Sequence, residues 1–425
     1  MAETIFALSS GALPAGVAVI RLSGPHSFAI LKRLSGGADL PAPRRAMLRS
    51  IVAADSGQLL DRALVVVFPA PNSFTGEDVV EIHCHGSVAV VAAVQHTLSL
   101  SGAQPAEAGE FTRRAFESGR IDLTQAEALA DLIEAETEAQ REQALSQAGG
   151  RLRALADLWR DHLVMLMAEL EADLDFADEG DVGANGRAPI REGITTLADA
   201  IRAALATAPV AERIRQGLTI AIIGPPNAGK SSLLNALARR DVAIVTPHAG
   251  TTRDVLEVHL NLGGRPAVLL DTAGLRQTQD PVEAEGIVRA RARAAAADLV
   301  LDLGANDLAN VVTKIDETGD RPGWRNGKFH VSARTGEGLQ ELEAWLARWA
   351  AEQIPSGEPP VVTSARQSHL LHGTLSFLVE AERESDPVLA AESLRSASHA
   401  LGRLTGRIDP ETVLGAIFSR FCIGK

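Results

Sequence analysis

The chain has 425 residues, of which 46% are hydrophobic and 22% charged, so we expect two to four globular domains. Its net charge of −13 argues against broad non-specific binding of nucleic acid, because phosphate contacts need Lys and Arg. No run reaches the roughly 18 apolar residues of a membrane span, and the N-terminus lacks a secretory signal pattern. The two cysteines cannot form a disulfide framework. We therefore expect a cytoplasmic protein that does not enter a membrane.

Residues 1–118 predict an α/β domain. Short apolar runs bounded by Gly- and Pro-containing turns are typical of strands, and one of them alternates apolar and polar residues with a period of two. The predicted strands are 15–22, 63–68 and 79–85.

Residues 119–215 predict a helical segment. The stretch 122–175 has no proline and is dense in Ala, Leu, Glu and Gln, which favours helix. Its one Gly-Gly pair, Gly149 and Gly150, marks the point where we expect two helices to meet. An acidic, glycine-bearing loop is predicted at 180–189, followed by another helix.

Residues 216–352 alternate strands and helices, which is the pattern of a parallel α/β sheet. A Pro-rich linker follows at 353–363, and residues 364–425 return to helix. The parallel-sheet domain is therefore predicted to be inserted into a split helical domain formed by 119–215 and 364–425.

The most specific motif follows the apolar strand 218–223. The next eight residues read Gly-Pro-Pro-Asn-Ala-Gly-Lys-Ser, which fits the phosphate-binding pattern G-x-x-x-x-G-K-[ST] between a strand and a helix starting near Ser232. In this pattern backbone N–H groups approach phosphate, Lys230 reaches the β and γ oxygens, and Ser231 supplies a hydroxyl to Mg²⁺. The alternative, a glycine turn without a ligand, is disfavoured by the strand–loop–helix context.

Three further segments follow in the order expected of a GTPase. The strand 267–270 ends at Asp271-Thr-Ala-Gly, where a carboxylate reaches the Mg²⁺ shell and a glycine amide senses the γ-phosphate. Thr313-Lys-Ile-Asp supplies Asp316, which accepts guanine N1–H and the 2-amino group, a donor pair that adenine lacks. Ser332-Ala-Arg is typical of the loop behind the base, and Thr252 is the predicted switch hydroxyl on Mg²⁺.

Three departures from the usual GTPase pattern accompany these motifs. Leu275 stands where Ras-like GTPases have the glutamine that orients water, so another group must do this. Thr313 replaces the usual Asn, which is expected to weaken a loop-to-loop contact but to leave base selection intact. Only seven residues separate the strands 299–303 and 311–313, whereas a parallel crossover normally takes ten or more with a helix. One helix of the Ras-like fold is therefore predicted to be deleted.

Segments along the whole chain resemble the MnmE (TrmE) family. The phosphate loop with its following Ser-Leu-Leu-Asn and the segment Gly-Thr-Thr-Arg-Asp-Val look like the family's GTPase domain. Outside that domain the resemblance is carried by 71–78, 109–116, 122–128 and the terminal 421–425.

The resemblance implies a specific activity. The family adds an aminomethyl-type group to C5 of the wobble uridine in certain tRNAs, together with the FAD-dependent partner MnmG. It forms a homodimer through the N-terminal domain, which holds a tetrahydrofolate derivative as one-carbon donor. Motif matching places Arg21, Glu81, Arg120 and Lys425 on the folate-binding positions, with Arg120 standing where lysine can occur.

The resemblance also implies how GTP is hydrolysed. The family uses K⁺ where other GTPases use an arginine finger, and the matching K⁺ ligands are Asn227, Thr246, His248 and Thr251. Glu283 matches the residue that orients the attacking water, which fills the position left by Leu275. The candidate catalytic residues are Lys230, Arg253, Glu283 and Cys422. The residues expected to contact GTP are Asn227, Ala228, Gly229, Lys230, Ser231, Ser232, Thr246, Pro247, His248, Ala249, Gly250, Thr251, Thr252, Asp271, Thr272, Ala273, Gly274, Thr313, Lys314, Asp316, Ser332, Ala333 and Arg334.

Several features keep alternatives open. Cys422 is a candidate for chemistry, for packing, or for lipidation, although a terminal lysine fits a prenylation box poorly. His83-Cys84-His85 suggests a metal, yet on a strand the two histidines share one face and Cys84 points away, which favours a structural role. A ribosome-assembly GTPase and a membrane-tethered GTPase switch are the two alternative functions.

Overall fold

A computed structural model of the chain describes residues 3–175, 187–240, 242–244, 257–271, 296–304, 310–408, 411–418, 421 and 424. The chain divides into two compact units. Residues 1–130 with 402–425 form unit 1, and residues 131–401 form unit 2. The predicted GTPase segment therefore shares one unit with most of the predicted helices.

In the described ranges the strands are β1 (Ile5–Leu8), β2 (Ala15–Ser23), β3 (Met47–Val52), β4 (Leu59–Phe68), β5 (Val79–Gly86), β6 (Gln104–Pro105), β7 (Leu218–Ile223), β8 (Glu257–Leu262), β9 (Arg265–Asp271), β10 (Leu299–Asp302), β11 (Val311–Val312), β12 (Gly323–Arg325) and β13 (Lys328–His330). The helices are α1 (Ser27–Leu34), α2 (Val88–Leu100), α3 (Glu110–Glu117), α4 (Leu123–Glu134), α5 (Glu138–Ala148), α6 (Arg151–Asp175), α7 (Arg187–Leu205), α8 (Ala208–Gln216), α9 (Lys230–Ala238), α10 (Ile315–Thr318), α11 (Leu339–Gln353), α12 (Ala365–Arg383), α13 (Pro387–Leu404) and α14 (Glu411–Phe418).

Unit 1 is built on a six-stranded sheet with the order β3-β4-β5-β2-β1-β6. Its strands pair antiparallel except for β1 and β6. Alternate side chains of the central strands, such as Ile20 and Ile82, are fully buried in a core that includes residues of α1 and α2. The second face therefore carries the intervening, more polar residues, because successive side chains on a strand point to opposite faces.

The last residues of the chain belong to this unit. Phe418 of α14 and Phe421 are buried in a cluster with Leu123 of α4. The Ser9 hydroxyl, just after β1, donates a hydrogen bond to the Gly424 carbonyl at 2.8 Å. Gly424 has φ +102°, and a Cβ there would lie 2.2 Å from the Leu8 carbonyl oxygen, so only glycine fits this approach.

The helical segment contains three helices, α4, α5 and α6, where the sequence predicts two. The break between α5 and α6 lies at Gly149 and Gly150, as predicted. The prediction missed the break between α4 and α5. There Thr137 and Gln140 form a capping box, in which the side-chain oxygen Oε1 of Gln140 accepts the Thr137 N–H at 3.0 Å. This reciprocal cap starts a new helix without any Gly or Pro to signal it.

One stretch of unit 2, residues 188–216, contains an 18-residue window that is apolar enough for a membrane span by composition alone, with a mean hydropathy of 1.2. It was not expected from the sequence. The structure divides it into α7 and α8, and the apolar residues Ile194, Leu197 and Ile201 of α7 are buried. Burial of these side chains within the protein is the arrangement of a core helix.

The predicted parallel sheet is present in unit 2. Strands β10, β7 and β9 run parallel, and β8 pairs antiparallel at the edge. β11 pairs parallel with β13, whose other neighbour is the antiparallel β12. The apolar side chains of these strands, of α9 and of α11 share one core.

The short connection between β10 and β11 is closed by Asn310. Its side chain accepts the Asp302 N–H at 2.8 Å and donates to the Val300 carbonyl at 2.7 Å. Its backbone N–H donates to the Asp302 carbonyl, and its carbonyl accepts from Phe329. The Asn310 side-chain amide thus makes both hydrogen bonds that a peptide group would make. It does so at the boundary between the strand groups β10-β7-β9-β8 and β11-β13-β12, where the sequence predicts a deleted helix. We call this boundary the seam.

Candidate nucleotide site and N-terminal site

The phosphate loop joins β7 to α9, which begins at Lys230, close to the predicted start near Ser232. Asn227 has φ +63° and Gly229 φ +94°, so the loop turns through left-handed backbone that Gly and Asn tolerate best. The Lys230 ammonium donates to the carbonyls of Gly224 and Pro225 at 2.8 and 2.9 Å. The loop therefore surrounds a lysine cation at the start of a helix, where anions are favoured.

The base-recognition segment follows β11. Lys314 has φ +62°, and α10 begins directly after it. The Thr313 hydroxyl donates to the Ala228 carbonyl in the phosphate loop at 2.6 Å. Thr313 therefore joins the two loops by one hydrogen bond, and the expectation that this contact is weaker than one made by asparagine stays a prediction.

Asp316 lies in a cavity of about 650 Å³ whose wall also includes Gly229, Ser232, Thr313, Ala333 and Arg334. The Ser332 hydroxyl donates to Asp316 Oδ1 at 2.6 Å, and Arg334 Nε lies 2.9 Å from Oδ2. The hydrogen bond from Ser332 lowers the pKa of the Asp316 carboxyl, and the Arg334 charge acts in the same direction. An ionised carboxylate beside a phosphate loop is suited to a base that presents two N–H donors.

Asp271 ends β9 opposite Ile222 of β7, beside the start of the phosphate loop. This backbone position fits a residue of the Mg²⁺ shell, and Ser231 lies in the first turn of α9. The other predicted switch, ion-binding and water-orienting residues lie outside the described residues; they are Thr246, Pro247, His248, Ala249, Gly250, Thr251, Thr252, Arg253, Thr272, Ala273, Gly274 and Glu283.

The candidate folate residues Arg21 and Glu81 are direct neighbours on β2 and β5. Arg21 Nη2 lies 2.9 Å from Glu81 Oε1, and the Arg21 guanidinium stacks 5.8 Å from the ring centroid of Phe111. Both side chains lie on the second face of the sheet and are only about one-fifth exposed. Arg120 is exposed after α3, and Lys425 and Cys422 lie outside the described residues.

A polar network of unit 1 was not predicted from the sequence. Glu77 accepts from the Ser23 hydroxyl at 2.6 Å and from Arg114 at 3.1 Å, and Arg114 also bonds Glu110 at 2.8 Å. Thr75 joins the network through Ser23. Glu77 and Arg114 fall inside the segments 71–78 and 109–116 that carry the family resemblance, which was the available signal.

The His83-Cys84-His85 segment has the predicted alternation. Cys84 is buried and donates to the Ala18 carbonyl at 3.6 Å, while His83 contacts Glu81 and His85 contacts Asp61. Burial raises the pKa of the Cys84 thiol. Within the described ranges no group of three His, Cys, Asp or Glu side chains is placed to hold a metal ion.

Comparison with known proteins is decisive for the family. A model described as the MnmE helical domain matches residues 123–422, and one described as the GTP-binding protein TrmE N-terminus matches residues 4–120. The tRNA modification GTPase MnmE of Rhodopseudomonas palustris is 49% identical over 442 residues, covering 100% of this chain and 99% of that protein. The chain belongs to the MnmE family of tRNA modification GTPases. The MnmE of Bradyrhizobium sp. is also 49% identical, with the same coverage.

Among solved structures, Era from Aquifex aeolicus bound to GDP.AlF4- aligns with 40% of this chain and 69% of its own, at 24% identity and a TM-score of 0.24. The MnmE assignment rests on the matches along the whole chain.

Proposed function

We propose that this MnmE family member hydrolyses GTP in the cytoplasm and that hydrolysis serves modification of C5 of the tRNA wobble uridine. The observation that carries the proposal is Asp316, an ionised carboxylate in a cavity that also borders the phosphate loop, in a chain similar to MnmE relatives along its whole length. Asp316 selects guanine because it accepts from N1–H and from the 2-amino group.

Around the nucleotide, the residue types support the ions that the family implies. Ser231 and Thr252 would hold Mg²⁺, with Asp271 at its shell, and Asn227, Thr246, His248 and Thr251 would hold K⁺. Hard oxygen donors next to phosphate suit both cations. K⁺ would stabilise negative charge that develops in the transition state. Lys230 and Arg253 would contact the phosphate region, and Glu283 would orient the attacking water.

In the N-terminal domain, Arg21, Glu81, Arg120 and Lys425 would bind a tetrahydrofolate derivative, which supplies the one-carbon unit. The charged pair Arg21–Glu81, held at 2.9 Å beside Phe111, offers both a donor and an acceptor to a polar aromatic ligand. Cys422 would take part in the chemistry. We further propose a homodimer that works with an FAD-dependent partner, MnmG, and the domain division 1–118, 119–215 with 364–425, and 216–352, with 353–363 as linker.

The test has two parts. Nucleoside analysis of tRNA from a strain that lacks this protein should show wobble uridines without the C5 group; normal wobble uridines there would refute the modification role. The purified protein should hydrolyse GTP much faster in K⁺ than in Na⁺ at equal ionic strength. Equal rates in the two salts would exclude the K⁺ site while leaving the GTPase activity in place.

A further inference from the structure

The Asp316 carboxylate has hydrogen-bond donors on both of its oxygens. Oδ1 accepts from the Ser332 hydroxyl at 2.6 Å, and Oδ2 lies 2.9 Å from Arg334 Nε. The same two oxygens are the acceptors that guanine needs for its N1–H and 2-amino group. A base that enters this cavity therefore meets a carboxylate that already has partners.

The two donors, Ser332 and Arg334, differ in how easily each can move away from the Asp316 carboxylate. Ser332 is fully buried, and its hydroxyl also accepts the Thr335 N–H at 3.1 Å, so it belongs to the framework of the loop. The Arg334 side chain is 77% exposed, and it can swing into solvent without disturbing the core. Guanine can displace Arg334, whereas Ser332 stays in place and orients the carboxylate.

We propose that Arg334 competes with the base, because its guanidinium pairs with Oδ2, one of the two Asp316 oxygens that select guanine, in a fraction of the molecules whose cavity is empty. This inference rests on the proposed GTP site and adds a residue that sets its affinity. An exposed ion pair is weak, so the competition is modest. Side-chain rearrangement is much faster than nucleotide encounter, so the observed association rate equals the intrinsic rate times the fraction of molecules with Arg334 displaced.

This mechanism has a kinetic signature. Removing the competitor should raise the association rate and lower Kd by the same factor, while the dissociation rate stays unchanged, because Arg334 acts on the empty state alone. A role in holding the bound nucleotide would do the opposite, since loss of the side chain would then raise the dissociation rate.

The experiment measures binding of a fluorescent GDP analogue to the full chain by stopped flow. Arg334→Ala should associate about two- to fivefold faster, with unchanged dissociation. The matched control is Arg239→Ala, which removes the same charge from the same cavity wall. It should leave association equal or slower, because it removes a cation from the wall of a cavity that takes up an anionic ligand. Arg334→Ala that associates no faster than wild type would overturn the proposal.

A second comparison tests whether the effect passes through Asp316. In Asp316→Asn, which should bind a xanthosine diphosphate analogue, the carboxylate that holds Arg334 is gone. Adding Arg334→Ala to this variant should then leave the association rate unchanged, and a persistent acceleration would contradict competition at Asp316. If wild type binds no guanine nucleotide, the proposed function itself fails; if wild type binds but Arg334→Ala is unchanged, only the competition fails.

Discussion

In unit 1 the charged pair Arg21–Glu81 lies across the face of an antiparallel sheet, whereas in unit 2 the phosphate loop and Asp271 lie where parallel strands end. The parallel arrangement gathers successive loops on one edge, because every parallel strand delivers its carboxyl end there. The antiparallel arrangement brings together residues that are 60 positions apart only through the register of β2 against β5. The two regions therefore build charged sites by different geometric rules.

The first prediction, with the largest expected effect, concerns the parallel-sheet side. Glu283→Ala should lower kcat of GTP hydrolysis by about 10²–10⁴-fold, the usual loss for a positioned base or orienting group. The affinity for GTP should change little, because the interaction is made mainly in the transition state. Glu285→Ala is the control, since it removes an equal charge two residues away. Normal hydrolysis by Glu283→Ala in K⁺ would show that the water is oriented by another group.

The second prediction concerns the antiparallel sheet. Arg21→Ala should weaken binding of a tetrahydrofolate derivative by about 10- to 100-fold, because a charge-assisted hydrogen bond is lost and Glu81 is left without this partner. Calorimetric titration measures the affinity. GTP hydrolysis should be unchanged. Arg33→Ala, on an exposed position of α1, is the control; equal folate affinity of both variants would remove Arg21 from the site.

These two regions were also unequal in how far the sequence could predict them. The phosphate loop and the base-recognition segment were predicted directly from the sequence, because the residues of each motif are close together in the chain and each motif follows the end of one strand. The pairing of Arg21 with Glu81 could not be predicted from the sequence, because it depends on the register of β2 against β5. Both residues were identified only through the family resemblance. The Glu77–Arg114 network was missed for the same reason.

Asn310 shows another limit of the sequence. The short connection between β10 and β11 indicated a deleted helix, but length alone does not reveal which group satisfies the backbone at the seam. The break before α5 was missed because the prediction followed Gly and Pro, whereas the signal for this helix start is the T-x-x-Q spacing of Thr137 and Gln140. Both features depend on one or two hydrogen bonds rather than on a repeating pattern.

The third prediction, with the smallest expected effect, tests the seam. Asn310→Asp keeps an acceptor for the Asp302 N–H but removes the donor to the Val300 carbonyl, so the free energy of unfolding should fall by about 1–3 kcal/mol. The urea midpoint of unit 2 measures this. Asn261→Asp is the control, because its Oδ1 accepts the Gly264 N–H and aspartate keeps that bond. A midpoint equal to that control would mean that the Asn310 amide does not stabilise the seam.

The contact between Ser9 and Gly424 has a consequence for synthesis of the protein. Unit 2 has all of its residues once position 401 has left the ribosome, whereas unit 1 needs both its first 130 residues and those after 401. At roughly 5–20 residues per second, the intervening stretch of about 270 residues takes roughly 15–55 seconds to make. During that time the six-stranded sheet stands without Phe418, Phe421 and Gly424. The unit that begins first is completed last, so unit 2 can fold while unit 1 still waits for its closing segment.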